Sequence, residues 1–414
     1  MYDQLYDYMN QYLNTLLCGF RKSYSTQHAL FKIIQDFQKE LDSSGCVKVI
    51  LMDLSKAYDC LPHDLIIAKL EAYGLDKNSL SFIYNYLNFR FQRTKIGSNF
   101  SEWSQIIEGV PQESIMGPLL FNIHLNDIFL FILKSSICNF ADDNTLYSCN
   151  KIKEIINENL KTDMKVILHW FKVNSLKANP EKFDFMIMGK RSTSNETLNI
   201  NSININESSS VKLLGITLDN SLKFSNHIDN ICRTSNFKLH ALRRIRNEIS
   251  QEKAIELGSA FIHSNFNYAS IIWMFCCKTD YKKIKNIHYK SLKIIYQTNA
   301  TYDDILEKYN KPSIHQVHLR LLATEIFKSI NNLSPSFMKY FFNENIISYN
   351  LRQGQQLIIP QTKTLKYGIQ GLLYRCAFLW NNLPNHIKES DTVDKFKSKL
   401  FELNSILCTC RICS

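Results

Sequence analysis

Residues Phe140-Ala141-Asp142-Asp143-Asn144-Thr145-Leu146-Tyr147 constrain the fold of this 414-residue chain more than any other stretch. They set two adjacent carboxylates at a bend between apolar runs that read as strands. The flanks Ile137 to Phe140 and Thr145 to Tyr147 carry the β-branched and aromatic residues that suit a pleated, half-buried surface, and the Asp-Asp-Asn between them is turn chemistry. Neighbouring aspartates repel unless a cation or a proton separates them, so an apolar setting for the pair points to divalent metal. The alternative reading of the segment alone is a solvated hairpin tip.

A second carboxylate segment lies upstream. Val47-Lys48-Val49-Ile50-Leu51-Met52 reads as a strand running straight into Asp53, followed by Leu54-Ser55-Lys56-Ala57-Tyr58-Asp59. Between the two segments, Gly109-Val110-Pro111-Gln112-Glu113-Ser114-Ile115-Met116-Gly117-Pro118 is a Gly/Pro-punctuated loop that feeds an apolar helix predicted to reach about Phe131.

In this order and rough spacing the chain resembles the reverse transcriptase domain of non-LTR retrotransposons of the jockey-like kind. Gly19-Phe20-Arg21-Lys22 with Ser25-Thr26 is similar to the fingers motif, Asp53 to Asp59 to motif A, Gly109 to Leu120 to motif B and Phe140 to Asp143 to motif C. Asn179-Pro180-Glu181-Lys182 resembles motif D, and Leu213 to Asp219 the segment after it. Tyr268, Trp273, Tyr367-Gly368 and Trp380-Asn381-Asn382-Leu383-Pro384 are similar to downstream regions of such elements.

The resemblance implies an α+β fold: a right-hand polymerase palm, an antiparallel sheet with packed helices, beside partial fingers and a helical thumb. It implies RNA-directed DNA synthesis from dNTP on a DNA primer and an RNA template, with two Mg²⁺ ions, or Mn²⁺ in their place. Asp53, Asp142 and Asp143 would hold the metals, and the carbonyl of Leu54 would add a ligand. Such chemistry needs hard oxygen donors and a pair of ions spaced to serve both the attacking and the leaving oxygen. Gln112 would position the nucleotide, Lys182 would protonate the departing pyrophosphate as a general acid, and Arg21 would touch template or phosphate. Tyr58, five residues after Asp53, puts a ring where RNA polymerases of this architecture carry a carboxylate. A ring there would collide with a 2′-hydroxyl and favours dNTP over an RNA-dependent RNA polymerase reading.

Two departures bear on activity. The family reads Gln-Gly-Ser where this chain has Gln112-Glu113-Ser114, and Glu113 adds bulk and negative charge beside a triphosphate. The chain also starts close to Gly19, which predicts an amino-terminally truncated copy without the earlier fingers segment or an endonuclease domain. A catalytically inactive nucleic-acid-binding remnant is the alternative function.

The net charge of +11 points to a polyanionic partner. Residues 231–330 hold 16 Lys and Arg against 8 Asp and Glu. Arg243, Arg244 and Arg246, and Lys282, Lys283 and Lys285, interleave with apolar residues at helical spacing, which predicts one face for packing and another for phosphate. An ordinary solvated helix face is the alternative. The four expected regions are 1–46 partial fingers, 47–225 palm, 226–331 basic thumb-like helices, and 332–414 with no assigned role.

Helices are expected over Thr26 to Leu41, Asp64 to Tyr73, Ser79 to Leu87, Lys151 to Val173 and Tyr374 to Asn382, a hairpin around Arg93 to Trp103, and a loop from Arg191 to Ser210. A hydrophobic content of 45% suffices for packed cores, and no run of about 18 uncharged apolar residues marks a membrane span. Neither membrane nor signal peptide is expected, and the expected location is intracellular, in nucleus or cytoplasm. Protein partners are left open. Twelve Cys without repeating spacing read as reduced thiols. Cys408, Cys410 and Cys413 are one thiol short of a four-coordinate zinc site, with no His at finger spacing, and read as a redox-sensitive tail.

Overall fold

The computed structural model describes residues 2–189, 196–201, 203–342, 356–403 and 405–413. Two compact units divide the chain. One comprises residues 1–29 and 45–208, the other 30–44 and 209–414. This division differs from the four regions expected from sequence: the boundary falls at 208/209, and most of the helix Thr26–Asp42, expected in the fingers, belongs to the second unit.

The first unit is built on an antiparallel sheet of β1 (Cys46–Met52), β2 (Ser136–Phe140), β3 (Asp143–Asn150) and β4 (Asp184–Met188), in the order β4-β1-β3-β2. β1 is central and reads as a continuous apolar run because both of its faces are covered. Its one charge, Lys48, is fully buried, and its amine is satisfied by Glu196 and by Asn157 Oδ1 at 2.7 Å. The helix Lys153–Val173 packs on β3 and β1 through Ile156, Leu160, Met164, Ile167 and Phe171, an i, i+4, i+8 stripe that faces the core. Met116–Leu125 is buried on nearly every side. The expected helices near 64–73 and 79–87 are observed as His63–Ala72 and Lys77–Leu87, and the expected hairpin as two short ladders, Arg90–Gln92 with Ser104–Ile106 and Lys95–Ile96 with Asn99–Phe100.

The loop expected over Arg191 to Ser210 is corrected in part. Residues 191–195 and 202 lie outside the described residues, but Thr197–Ile200 and Ile203–Asn206 form an antiparallel hairpin. Leu198, Ile200 and Ile205 are buried on one face, a period-2 pattern masked by the Asn and Ser between them. Strand β4 was likewise not expected, although Phe183 to Met188 has strand composition.

The second unit opens with a hairpin, Ser210–Leu213 and Ile216–Asp219, turned at Leu214 and Gly215, both at positive φ. Helices follow. Ser225–Ile245 packs against Lys278–Tyr296, and Ile314–Ile330 lies in the core against Leu372–Asn381 and Val393–Glu402. Trp273 and Trp380 are buried. From the helix Thr26–Asp42, Gln38 accepts a hydrogen bond from the Leu372 amide at 2.8 Å, and Asp42 accepts from the Thr364 amide at 2.7 Å.

Candidate nucleotidyl-transfer site

Antiparallel register gathers the three aspartates at one end of the sheet. Met52, the last residue of β1, pairs with Asn144 of β3, so Asp53 is carried beside Asp143, the first residue of β3. Phe140 pairs with Asp143, which leaves Ala141 and Asp142 as a two-residue turn with Ala141 at φ 55°. Asp142 and Asp143 are exposed and Asp53 is 35% exposed at its side chain.

The turn rests on a buried polar support that the sequence reading missed. Asn139 and Asn144, both buried, hydrogen-bond to each other across the hairpin, and Asn144 Nδ2 donates to the Asp142 carbonyl at 2.8 Å. Residues 16–18 bond along β2: the Cys18 amide donates to Asn139 O at 2.8 Å, and the Asn139 amide to Leu16 O at 3.0 Å. Gly19 follows directly, so close to the turn that a Cβ would sit 2.3 Å from the Ala141 nitrogen. Asn122, also fully buried, holds the Gly19 carbonyl at 2.7 Å. A polar residue placed symmetrically on either side of the turn, in otherwise apolar strands, was the available signal.

Tyr58 lies in a short 3₁₀ turn, Ala57–Cys60. Its ring stacks on Phe121 at 4.5 Å and meets the edge of Phe20 at 6.2 Å. Burial, followed by the negative charge of Asp142, pushes the phenol pKa well up, and its buried hydroxyl has no hydrogen-bond partner among the described residues. The motif B loop is strapped to this turn. Val110 N donates to Tyr58 O at 2.9 Å, Gly109 N to Leu61 O at 2.8 Å, and Gln112 Nε2 to Asp59 Oδ1 at 2.7 Å. Gly109 has φ 88°, and a Cβ there would lie 2.9 Å from Asp59 Cα, so only glycine fits. A cavity of about 740 Å³ opens beside Gln112, lined also by Lys56, Arg90, Gln92 and Lys177.

Glu113 has φ 58°, the left-handed region. The glycine expected at this position is thereby explained by backbone as well as by space: a side chain here carries conformational strain.

Lys182 ends a 3₁₀ turn, Pro180–Lys182, and its Nζ lies 3.3 Å from Asp53 Oδ2. The Asn179 amide donates to Asp53 O at 3.0 Å, which ties this turn to the end of β1. Leu54 sits with Ser55 in a two-residue ladder against Lys177 and Ala178, its side chain buried.

Some expected contacts are corrected. Arg21 is buried and spends its guanidinium within the chain, donating to Asn14 O at 2.7 Å, Leu17 O at 3.3 Å and Asn10 Oδ1 at 2.9 Å, with Tyr24 beneath it. It organises the segment before Gly19 and does not present its charge at the surface. In the second unit, Arg246 is buried and donates to the carbonyls of Ile294, Ile295 and Ile249. Lys283 bridges Asp229 at 2.7 Å and Asp280 at 2.9 Å, and those two carboxylates raise its pKa. Arg246 is thereby withdrawn from the surface, while Lys283, 44% exposed at its side chain, shares its charge between two carboxylates. Arg243, Arg244 and Lys282 are exposed, and Lys285 is half-buried with its amine 4.7 Å above the Tyr302 ring.

The three aspartates fit hard divalent cations by donor type, since all offer carboxylate oxygen. They are neighbours in register rather than a closed cage: among the described residues the convergent group of possible metal ligands is elsewhere, in the second unit.

A reverse transcriptase (RNA-dependent DNA polymerase) family model matches residues 1–218. The chain is 25% identical over 299 residues to a probable RNA-directed DNA polymerase from transposon BS of Drosophila melanogaster, covering 67% of this chain and 32% of the relative. It is 23% identical over 287 residues to the RNA-directed DNA polymerase from mobile element jockey of the same species, covering 67% and 31%. The chain thus spans about a third of the length of these relatives. An apo telomerase from Candida tropicalis, truncated from its C-terminal domain, is similar at 14% identity over 52% of this chain and 43% of that chain, with a TM-score of 0.38, too loose a likeness to define the fold. With the motif segments assembled around one sheet end and the family model covering more than half of its length, the chain belongs to the reverse transcriptase family.

Proposed function

We propose that this chain is an RNA-directed DNA polymerase of a non-LTR retrotransposon, with its first unit forming the polymerase palm. The observation that carries the reading is the register that brings Asp53, Asp142 and Asp143 to one sheet end, with Tyr58, stacked on Phe121, within electrostatic reach of Asp142. Asp53, Asp142 and Asp143 would hold two Mg²⁺ or Mn²⁺ ions, with the Leu54 carbonyl as a further ligand; when bound, the ions acidify the primer 3′-hydroxyl and neutralise charge on the triphosphate.

The chain's own residues do the rest. The Tyr58 ring, held by Phe121, presents a fixed wall to the sugar and excludes a 2′-hydroxyl. Gln112, held by Asp59 at the mouth of the 740 Å³ cavity, positions the nucleotide. Lys182, on the surface beside Asp53, donates a proton to the departing pyrophosphate. Arg243, Arg244 and Lys282 offer exposed cations to a primer–template backbone, which needs charge without base reading.

A second reading, a nucleic-acid-binding remnant without activity, is favoured by Glu113, which places a strained, negatively charged residue next to Gln112. Primer extension on an RNA template with Mg²⁺ and dNTP, beside an Asp142→Asn, Asp143→Asn control, separates the two. Extension that vanishes in the control establishes the polymerase. Salt-sensitive primer–template binding with no extension establishes the remnant.

A further inference from the structure

We propose that His315, Cys408, Cys410 and Cys413 bind one zinc ion in a tetrahedral site that fastens the end of the chain to the helix Ile314–Ile330. The inference concerns the second unit and stands independently of the polymerase reading.

Three thiols within six residues lacked a fourth ligand in the sequence, and the fold supplies it from far upstream. The ligand atoms of all four residues lie within 4.8 Å of one another. Cys410 Sγ is 3.5 Å from His315 Nε2 and 3.8 Å from Cys413 Sγ, and the Cys410 amide is 3.4 Å from Cys408 Sγ. Bond lengths of about 2.3 Å for Zn–S and 2.0–2.1 Å for Zn–N place tetrahedral ligand atoms about 3.8 Å apart for two sulfurs and about 3.5 Å for sulfur and nitrogen. The Cys410–His315 and Cys410–Cys413 separations match those edges, and the other ligand atoms lie within 4.8 Å. A Cys410–Cys413 disulfide would require about 2.05 Å.

The surroundings hold the ligands in place without the metal. Ser313 caps the helix by accepting from the Gln316 amide at 3.3 Å, which sets His315 and Gln316 in the first turn. Gln316 then clamps the tail from both sides of its amide group, donating to Ile406 O at 3.2 Å and accepting from the Ile406 amide at 2.8 Å. Arg320, one turn further on, donates to Leu403 O at 3.0 Å. Together these anchors deliver the thiols to His315. His315 and Cys410 are buried, and the His315 ring packs edge-on to Tyr281 at 5.8 Å. Nε2 is the His315 nitrogen that faces the cluster, 3.5 Å from Cys410 Sγ, and Nδ1 has no hydrogen-bond partner among the described residues.

Donor type selects the ion. Three soft thiolates and an imidazole, with no carboxylate, suit zinc and not magnesium. Three thiolates on Zn²⁺ leave one net negative charge, and buried Arg375, which donates to Thr409 Oγ1 at 3.2 Å between Cys408 and Cys410, supplies a nearby cation.

The test is metal analysis of the full chain, purified under reducing conditions and gel-filtered free of loose metal. About one zinc per chain is expected, and Co²⁺ replacing it should show the intense absorption of tetrahedral thiolate coordination. The Cys408→Ser, Cys413→Ser pair and His315→Ala should each retain less than about a tenth of that zinc, whereas His315→Cys, which restores four soft ligands, should retain it. Cys232→Ser, which removes a thiol that is not one of the four ligands, should leave it unchanged. The proposal is overturned by a reduced parent chain without zinc, by zinc retained in the double variant, or by a Cys410–Cys413 disulfide found on peptide mapping. Because the parent stoichiometry and cobalt spectrum need no variant, a substitution that prevents folding does not shield the proposal.

Discussion

Lys182 Nζ sits 3.3 Å from Asp53 Oδ2, so the amine assigned to protonate the leaving group is, before substrate arrives, the counter-ion of a carboxylate assigned to metal. The pair is exposed, 66% at Lys182 and 35% at Asp53, and pairs of this kind contribute under about 1 kcal/mol. A divalent cation therefore displaces the ammonium easily and frees it for the phosphate side. Lys182→Ala should bind Mn²⁺ more tightly in the absence of nucleotide, by titration, while kcat falls by about 10²-fold or more. Unchanged Mn²⁺ affinity would show that the ion pair does not compete with metal.

Glu113 predicts an unusual stability result. Substituting glycine in ordinary surface loops costs entropy, about 0.5–1 kcal/mol, but at φ 58° release of left-handed strain returns about 1 kcal/mol. Glu113→Gly should therefore leave the denaturation midpoint within error of the parent while raising primer extension by 10-fold or more, on the order of the 1.4 kcal/mol that removing a charge near triphosphate would provide. A drop in stability of 1 kcal/mol or more would contradict the backbone argument.

Tyr58 separates ring from hydroxyl. Tyr58→Phe removes a buried oxygen with no partner among the described residues and should be neutral or stabilising by up to about 1 kcal/mol in chemical denaturation, with dNTP selection retained. Tyr58→Ala should raise rNTP incorporation relative to dNTP, read as the ratio of kcat/KM values. If both variants select alike, the ring is only a core aromatic against Phe121.

The basic residues of the second unit should divide into two classes. Arg243→Ala or Arg244→Ala should each reduce the slope of log binding constant against log salt by about 1, with stability intact. Arg246→Ala should leave the Ile294, Ile295 and Ile249 carbonyls unpaired and cost about 2–3 kcal/mol, with little effect on the slope. The same salt slope in all three variants would refute the division.

Acid should loosen the start of the second unit at Asp219. Burial by itself would raise its pKa, but hydrogen bonds from Ser221, Lys223 and Phe224 prevail and hold it below the usual carboxylate range. A lowered folded pKa contributes stability at pH values above the unfolded value of about 3.9, and that contribution is lost as pH falls through the folded pKa. Asp219→Asn should therefore be destabilised at neutral pH and converge on the parent at low pH, measured by denaturation across pH 2–7. A constant difference across that range would show that the carboxylate's charge is not what holds the turn.

Sequence alone determined the local chemistry of this protein: the Asp-Asp turn between strands, the apolar run into Asp53, the Gly-Pro loop and the helices, all set by neighbours within a few residues. Helix boundaries agreed to within two or three positions because apolar period and breakers are local signals. Tertiary structure decided which charges were free. Arg21, Arg246 and Lys283 read as basic contacts in sequence, yet their partners, the carbonyls near residues 14 and 295 and the carboxylates of Asp229 and Asp280, become visible only once the chain is packed. Packing also brought His315 to three thiols 93 or more residues downstream, through the Gln316 and Arg320 anchors. No sequence period relates residues that far apart, because ligand geometry depends on distance in space and a folded chain sets that distance through its core.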